Sequence, residues 1–211
     1  GTSSYLGNFN GSSDTYVAWC WKANGGTTST NNDGSTTSTV QANQAGGFSI
    51  ITYDGNGSNR TIGHGLSTAP DFMIIKDRDG TNNFVTYSRV IGADKRSNLN
   101  NDIAWSSSST SFQSTHPSST VITLGTSNGV NQSSRKFVCY AWHSVEGYSS
   151  FGKYAGDGRA GGPVVITGFR PVLVFLKKSS STGFWNVFYS PPKEGNLDAN
   201  AAPTEEEMVD R

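Results

Sequence analysis

The sequence predicts an all-β protein, an antiparallel β-sandwich, jelly roll or barrel built from internal repeats of about 100 residues. Three observations predict it. Ser, Thr, Asn and Gly supply 94 of the 211 residues, and such residues favour turns, because short polar side chains compete for backbone hydrogen bonds. Apolar residues alternate over short runs bounded by Gly, Asn, Ser and Pro, the period of a half-buried strand, and no segment sustains a helical period. The chain also resembles itself at a fixed spacing, the signature of a repeated structural unit.

The internal match is specific. Tyr53-Asp-Gly55-Asn-Gly57 returns 101 positions later as Tyr154-Ala-Gly156-Asp-Gly158. At the same spacing Pro70-Asp-Phe-Met-Ile-Ile-Lys76 returns as Pro171-Val-Leu-Val-Phe-Leu-Lys177, and Phe84-Val-Thr-Tyr87 as Trp185-Asn-Val-Phe188. At a longer spacing Tyr16-Val-Ala-Trp-Cys-Trp21 matches Phe137-Val-Cys-Tyr-Ala-Trp142, and Leu6-Gly7 matches Leu124-Gly125. Ordered, these matches divide the chain. Residues 1–22 read as the second half of a unit, 47–146 as a complete unit and 147–190 as the first half of another. The two halves are expected to close on each other within the chain, to pair between chains, or to belong to a longer protein of which this is an excerpt, with Gly1 marking a processed or truncated terminus. An unpaired half would leave strand edges open to another chain.

Taken in order, strands are expected over residues 16–22, 48–53, 71–76, 83–89, 121–124, 136–143, 162–167, 172–177 and 184–189. The two Pro-led strands are almost continuously apolar, which fits burial on both faces. Residues 23–46 are a polar, low-complexity tract and are expected to be a linker or a long loop. Residues 191–211 turn Pro-rich and then acidic, which predicts a tail.

Composition limits the function classes. The 16 basic and 16 acidic residues balance, so no basic face is available to release counterions from nucleic acid, and none is expected as a partner. No apolar run is long enough for a membrane-spanning helix, and membrane insertion is not expected. Two cysteines, Cys20 and Cys139, do not make a disulfide framework. Both lie in alternating aromatic runs and are expected to be small buried residues.

Candidate chemical sites are weak. Asp77-Arg-Asp79-Gly-Thr-Asn82 resembles an oxygen-rich cation loop but lacks the bidentate Glu of a specific calcium site, and its internal counterpart, Lys178-Ser-Ser-Ser-Thr182, has no carboxylate. His64, His116 and His143 are scattered without ligand spacing, so no metal is expected. Asp102, beside Trp105, and Asp157, near Arg159, stand alone, and no Gly-x-Ser-x-Gly elbow is present. Neither a catalytic residue nor a cofactor is expected. Trp105 differs from the other tryptophans because it sits in a polar loop. It is the candidate for a glycan or protein contact, against the reading that it folds back over a sheet edge.

Several spaced motifs carry a family resemblance. Tyr16-Val-Ala-Trp-Cys-Trp-Lys-Ala23, Gly47-Phe-Ser-Ile-Ile-Thr-Tyr53, Thr61-Ile-Gly-His-Gly-Leu66 with Ala69-Pro-Asp-Phe72, Ser144-Val-Glu-Gly147 and Thr167-Gly-Phe-Arg-Pro171 together resemble a repeat family of marine tailed-bacteriophage virion proteins. The resemblance covers residues 5–190. It implies an antiparallel β-sandwich (jelly-roll/lectin-like) serving as a tail-fibre or adhesin-type module on the virion, outside the cell, that binds a host-surface glycan or neighbouring subunits as a homo-oligomer, without enzymatic activity. The alternatives are a capsid decoration or filament-forming subunit assembled by strand sharing, and a carbohydrate-binding module or divergent glycan hydrolase. After Tyr189 the chain departs from the pattern.

Overall fold

The computed structural model describes residues 12, 15, 18–160 and 162–189; the predicted tail and the first eleven residues lie outside them. The described chain is all-β. In order it forms β1 (Ser29–Asn31), β2 (Ser38–Asn43), β3 (Phe48–Asp54), β4 (Arg60–Gly63), β5 (Phe72–Asp77), β6 (Val85–Ser88), β7 (Lys95–Asn98) and β8 (Ser106–Ser107). A single helical turn, α1 (Ser109–Phe112), leads to β9 (Val121–Leu124), a second, α2 (Asn128–Asn131), to β10 (Lys136–Trp142), and the chain continues to β11 (Leu173–Lys177) and β12 (Trp185–Tyr189). One sheet of eight strands runs β1-β2-β3-β10-β5-β6-β7-β8, and β4–β9 and β11–β12 form two-stranded ribbons. Every strand pairing is antiparallel.

Strand β10 closes the sheet at its centre. Cys139 lies opposite Ile51 of β3 on one side and Ile75 of β5 on the other. Alternation then divides its residues: Phe137, Cys139 and Ala141 are buried in the core with Ile51, Tyr53, Met73, Ile75, Val85 and Tyr87, while Val138, Tyr140 and Trp142 turn to the opposite face. The core is completed by Ile62, Ile122 and Leu124 of the β4–β9 ribbon, Phe112 of α1 and Val130 of α2. A fully buried side chain of this size contributes about 1.5–3 kcal/mol of transfer free energy. Tyr53 and Phe137 stack at 5.4 Å, and the Tyr53 hydroxyl donates to Val130 O at 2.6 Å.

Polar side chains fasten the ribbon to the sheet. Ser38 Oγ donates to Gly63 O and Ser49 Oγ to His64 O, both at 2.7 Å. His64 is fully buried. Its Nδ1 accepts the Leu66 N–H at 3.1 Å, so Nε2 carries the proton and donates to Ser118 O at 3.2 Å. Asn131 likewise joins α2 to the turn after β3: its Nδ2 donates to Ser58 O and Gly125 O, and its Oδ1 accepts Asn56 N–H. In that turn a Cβ on Gly55 would collide with the Gln132 carbonyl, and Gly57 has φ of 72°, conformational space open chiefly to glycine.

The two hairpins predicted to correspond have equivalent geometry. In β5–β6 Phe72 faces Ser88, and in β11–β12 Leu173 faces Tyr189, each partner 101 positions on. Lys76 Nζ donates to Asn82 O at 2.6 Å, and Lys177 Nζ donates to Gly183 O. Asn56 Oδ1 accepts Ser58 N–H at 2.9 Å, and Asp157 Oδ1 accepts Arg159 N–H at 3.1 Å. Gly158 shares the 72° φ of Gly57.

Three sequence expectations are corrected. Residues 23–46, expected as a linker or a long loop, carry β1 and β2, and β2 pairs with β3 through five residue pairs. In β2 the alternation of Ser38, Val40 and Ala42 inward against Thr39, Gln41 and Asn43 is hidden by small polar residues. The described part of 16–22 and the described residues of 162–167 adopt no strand pairing. Cys20 is exposed, whereas Cys139 is buried, its thiol pushed well up by desolvation.

Phe137→Ala should destabilise the fold by about 3–5 kcal/mol through the cavity it leaves, measured by urea unfolding. Burial holds the His64 pKa below its ordinary value, so as pH falls the unfolded chain takes up the proton first. The stabilisation from neutral His64 is complete above about pH 6.5 and is lost as pH falls toward the depressed folded value. The stability gap between the natural chain and His64→Gln should therefore narrow on acidification, and a gap independent of pH would contradict a buried neutral imidazole.

Candidate functional site

The face of the eight-stranded sheet opposite the core carries the most distinctive chemistry. Strand register places Asn43, Phe48, Trp142, Phe72 and Ser88 in one cross-strand row. The adjacent row holds Gln41, Ile50, Tyr140, Ile74 and Thr86. Directly opposed side chains in antiparallel sheets lie close enough to pack, so the first row becomes an aromatic band. Phe48 stacks on Trp142 at 4.9 Å, and Phe72 lies 6.0 Å from the same indole. This accounts for the near-continuous apolar character of β5: Met73 and Ile75 enter the core, while Phe72 and Ile74 belong to the band.

Described residues from before β1 and after β10 pack here. Phe151 stacks on Phe72 at 6.0 Å and Trp185 of β12 meets Phe72 edge-on at 5.9 Å. Trp21 packs edge-on against Trp142 at 6.1 Å and reaches Phe175 of β11 at 6.5 Å, and Trp19 meets Tyr189 of β12 at 6.1 Å. Aromatic pairs of this geometry contribute about 0.5–1.5 kcal/mol each beyond their buried area. Two hydrogen bonds fix the placement: Trp185 Nε1 donates to Asn98 O at 2.9 Å, and Gly183 N–H donates to Asp102 O at 2.8 Å.

Trp105, the residue singled out from sequence, is half-buried and lies edge-on to Trp185 at 6.5 Å. The loop brings it to the end of the band, and Asp102 beside it contributes its backbone carbonyl. Sequence reasoning missed that Trp142, Phe72, Phe48 and Trp185 form one surface. The signal was available in the alternation of β10, but only its pairing with both β3 and β5 lines the rings up.

Other candidate residues are engaged in structure. Asp77 accepts the Asp79 N–H and the Asn82 amide, both at 2.9 Å, and Asp79 Oδ2 accepts Lys136 N–H at 2.7 Å. Asp71 binds Arg89 at 3.2 Å and accepts Ser144 N–H, while Arg89 also donates to Pro70 O and Pro117 O. Tyr87, its phenol pushed up to about 12 by burial, bonds His116 Nδ1 at 2.6 Å. His143 Nδ1 bonds Ser144 O at 2.8 Å. Among the described residues no three His, Cys, Asp or Glu side chains converge as metal ligands, and no described helix is long and apolar enough to cross a membrane. A shallow groove of about 310 Å³ runs beside Thr39, Thr52, Asp54, Arg78 and Lys136.

Trp185→Phe keeps the ring in the band but removes the indole donor to Asn98 O. It should cost about 1 kcal/mol, the usual net value of such a bond, and raise amide exchange in β11–β12 selectively. An unchanged exchange pattern would mean that the hairpin is held without it.

Comparison with known proteins gives a family and no activity. Residues 1–208 match a family described as a domain of unknown function (DUF7483). Searches of curated proteins and of solved structures find no match. The chain, matched over almost its whole length, belongs to the DUF7483 family.

Proposed function

We propose that this protein is a non-enzymatic structural module of a bacteriophage virion, built from copies of one lectin-like β-sandwich unit, and that it works by surface contact. The contact would be with a neighbouring virion subunit or with the host surface, as in a tail-fibre or adhesin module. The observation that carries the contact reading is the set of large apolar side chains exposed on and beside the β11–β12 hairpin. Phe184 is 71% exposed and Phe175 and Val172 are each 43% exposed, on the hairpin next to Trp21 and Trp185. Large apolar side chains left exposed on one hairpin favour a contact role over a purely solvent-facing one. The equivalent hairpins support the repeat reading, and the spaced motifs shared with phage virion repeats support the virion setting.

The engaged polar side chains favour contact over chemistry. Asp71, Asp77, His64 and Asn131 spend their hydrogen-bonding capacity on backbone groups or internal partners, so none is presented to a substrate. Trp105, packed on Trp185, would contribute by shaping the edge of the surface.

Phe184→Ser should leave the unfolding midpoint within about 0.5 kcal/mol, as expected of an exposed position. It should weaken self-association, or binding to host envelopes and phage particles, by roughly tenfold, the effect of about 1.4 kcal/mol. Sedimentation across a dilution series and a binding titration measure both. A chain that is monomeric throughout and binds neither target, or a variant indistinguishable from the natural chain in both assays, would overturn the contact reading.

A further inference from the structure

The outer face of the eight-stranded sheet changes character from one end to the other. At one end lies the aromatic band, covered by Trp21, Phe151 and Trp185. Toward the other end the registers place Thr37, Asp54, Lys136 and Arg78 in one cross-strand row, and Thr39, Thr52, Val138 and Lys76 in the next. Between the rows run Ser38, Tyr53 and Phe137, which are buried and turn to the core, because successive residues of a strand face opposite sides. The two outward rows therefore flank a furrow, the groove of about 310 Å³. Its walls carry Thr39, Asp54, Arg78 and Lys136, all exposed, and the half-buried Thr52. It crosses β2, β3, β10 and the residue after β5, roughly 14 Å at the usual spacing of strands.

The fold does not use the polar groups of this furrow. None of these five side chains hydrogen-bonds another described residue, whereas their neighbours are engaged. Lys76 Nζ donates to Gly80 O and Asn82 O, and the carboxylates of Asp77 and Asp79 accept backbone N–H groups. Lys136 faces Asp54 across the strands, yet the ion pairs among the described residues are Arg89–Asp71 and Lys95–Asp94. On the core side of the same sheet end, Arg60 is 8% exposed, lies over the Tyr53 ring at 5.9 Å and leaves Nε and Nη2 without partners. A buried guanidinium with no carboxylate bonded to it adds positive potential there. Two cations and one carboxylate thus stand unpaired in the furrow beside two hydroxyls, with a third cation behind its floor. The internal repeat supplies a comparison. At the 101-residue spacing Asp54 becomes Ala155 and Arg78 becomes Ser179, while the turn and the hairpin keep their geometry. Turn and hairpin therefore form without those two charges.

We propose that the furrow binds an acidic saccharide, a short stretch of a uronate-bearing or sulfated glycan laid across the strands. Arg78 and Lys136 take the carboxylate or sulfate, the guanidinium through paired N–H donors. Asp54 accepts hydrogen bonds from ring hydroxyls, and Thr39 and Thr52 exchange them with the sugar. An acidic peptide fits less well. β2, β3 and β10 are each paired along both edges, so no backbone edge is open for a peptide strand to join, and Asp54 would repel its side chains. The site lies apart from the surface around Phe184 and does not depend on the contact made there.

The test is calorimetric titration of the full chain with a galacturonate trimer, its methyl-esterified form, a heparin tetrasaccharide and hexaglutamate. The galacturonate trimer or the heparin tetrasaccharide should bind, and the esterified trimer, which keeps the hydroxyls and loses the charge, should bind more weakly than its acid. Arg78→Ser should weaken saccharide binding by at least about tenfold, the effect of losing a hydrogen bond to a charged group. Asp54→Ala gives the sharper readout. It removes a negative charge, so a surface that merely attracts anions would bind every acidic probe more tightly, whereas a saccharide site loses affinity with its acceptor. Both variants should keep the urea midpoint of the natural chain, since the second copy carries these same residues. Absence of binding by either saccharide at millimolar concentration would overturn the site. Tighter saccharide binding by Asp54→Ala, or hexaglutamate binding as tightly as the saccharides, would overturn the saccharide assignment. Saccharide binding that survives both substitutions would overturn the location. Phe184→Ser should leave saccharide affinity unchanged, and a parallel loss there would mean that the furrow is not a separate site.

Discussion

Because β10 is hydrogen-bonded along both edges, to β3 on one side and β5 on the other, it sets the geometry of both faces of the sheet. A strand alternates its side chains, so the same seven residues must satisfy two different environments. Phe137, Cys139 and Ala141 fill the core, where the small residues leave room for Ile122, Leu124 and Phe112 to approach. Tyr140 and Trp142 project the other way and begin the band on which Trp21, Phe151 and Trp185 converge. A shift of one residue in the register of β10 would exchange the two sets, leaving indole in the core and a thiol in the band. The core and the docking surface are therefore two consequences of a single pairing.

The architecture was legible in the sequence where alternation involved large residues. The strands around Ile51, Ile75, Val85, Ile122, Cys139, Phe175 and Val187 were all read near their observed positions. It was illegible where one face of a strand carries small polar groups. β2 alternates Ser38, Val40 and Ala42 inward, and two of those three give no strong hydrophobic signal, so the stretch reads as a linker or a long loop. β4 has only Ile62 as a large apolar residue. β7 and β8 consist of Lys, Arg, Ser and Asn and owe their strand form to pairing with β6 and with each other. The reverse error arose at 162–167, where strong β-branched character predicted a strand that has no partner among the described residues. For the candidate site, Trp105 was found because it stood out from its loop, while the band was missed because it depends on register between strands distant in sequence.

Ser and Asn, abundant throughout, do structural work that their composition alone does not reveal. Ser38 and Ser49 hold the β4–β9 ribbon to the sheet through backbone carbonyls, and Asn131 bonds four groups on two segments. Buried hydrogen bonds of this kind contribute modestly when made and cost more when one partner is lost. They fix where the ribbon sits over the core more than how tightly it is held. His64 follows the same logic, since both ring nitrogens are committed to backbone groups.

The position of β10 in the chain has a consequence for synthesis. β3 and β5 through β7 leave the ribosome first, and the strand that must fit between β3 and β5 follows only at residue 136. At about 5–20 residues per second the interval from Asn98 to Trp142 lasts on the order of 2–9 s. Throughout it, the nascent chain holds two partial sheets whose inner edges are bare. Those edges carry the apolar residues most prone to pair with another chain, among them Ile51, Met73 and Ile75. Crowded polysomes would thus be a condition under which this protein is exposed to loss before it folds.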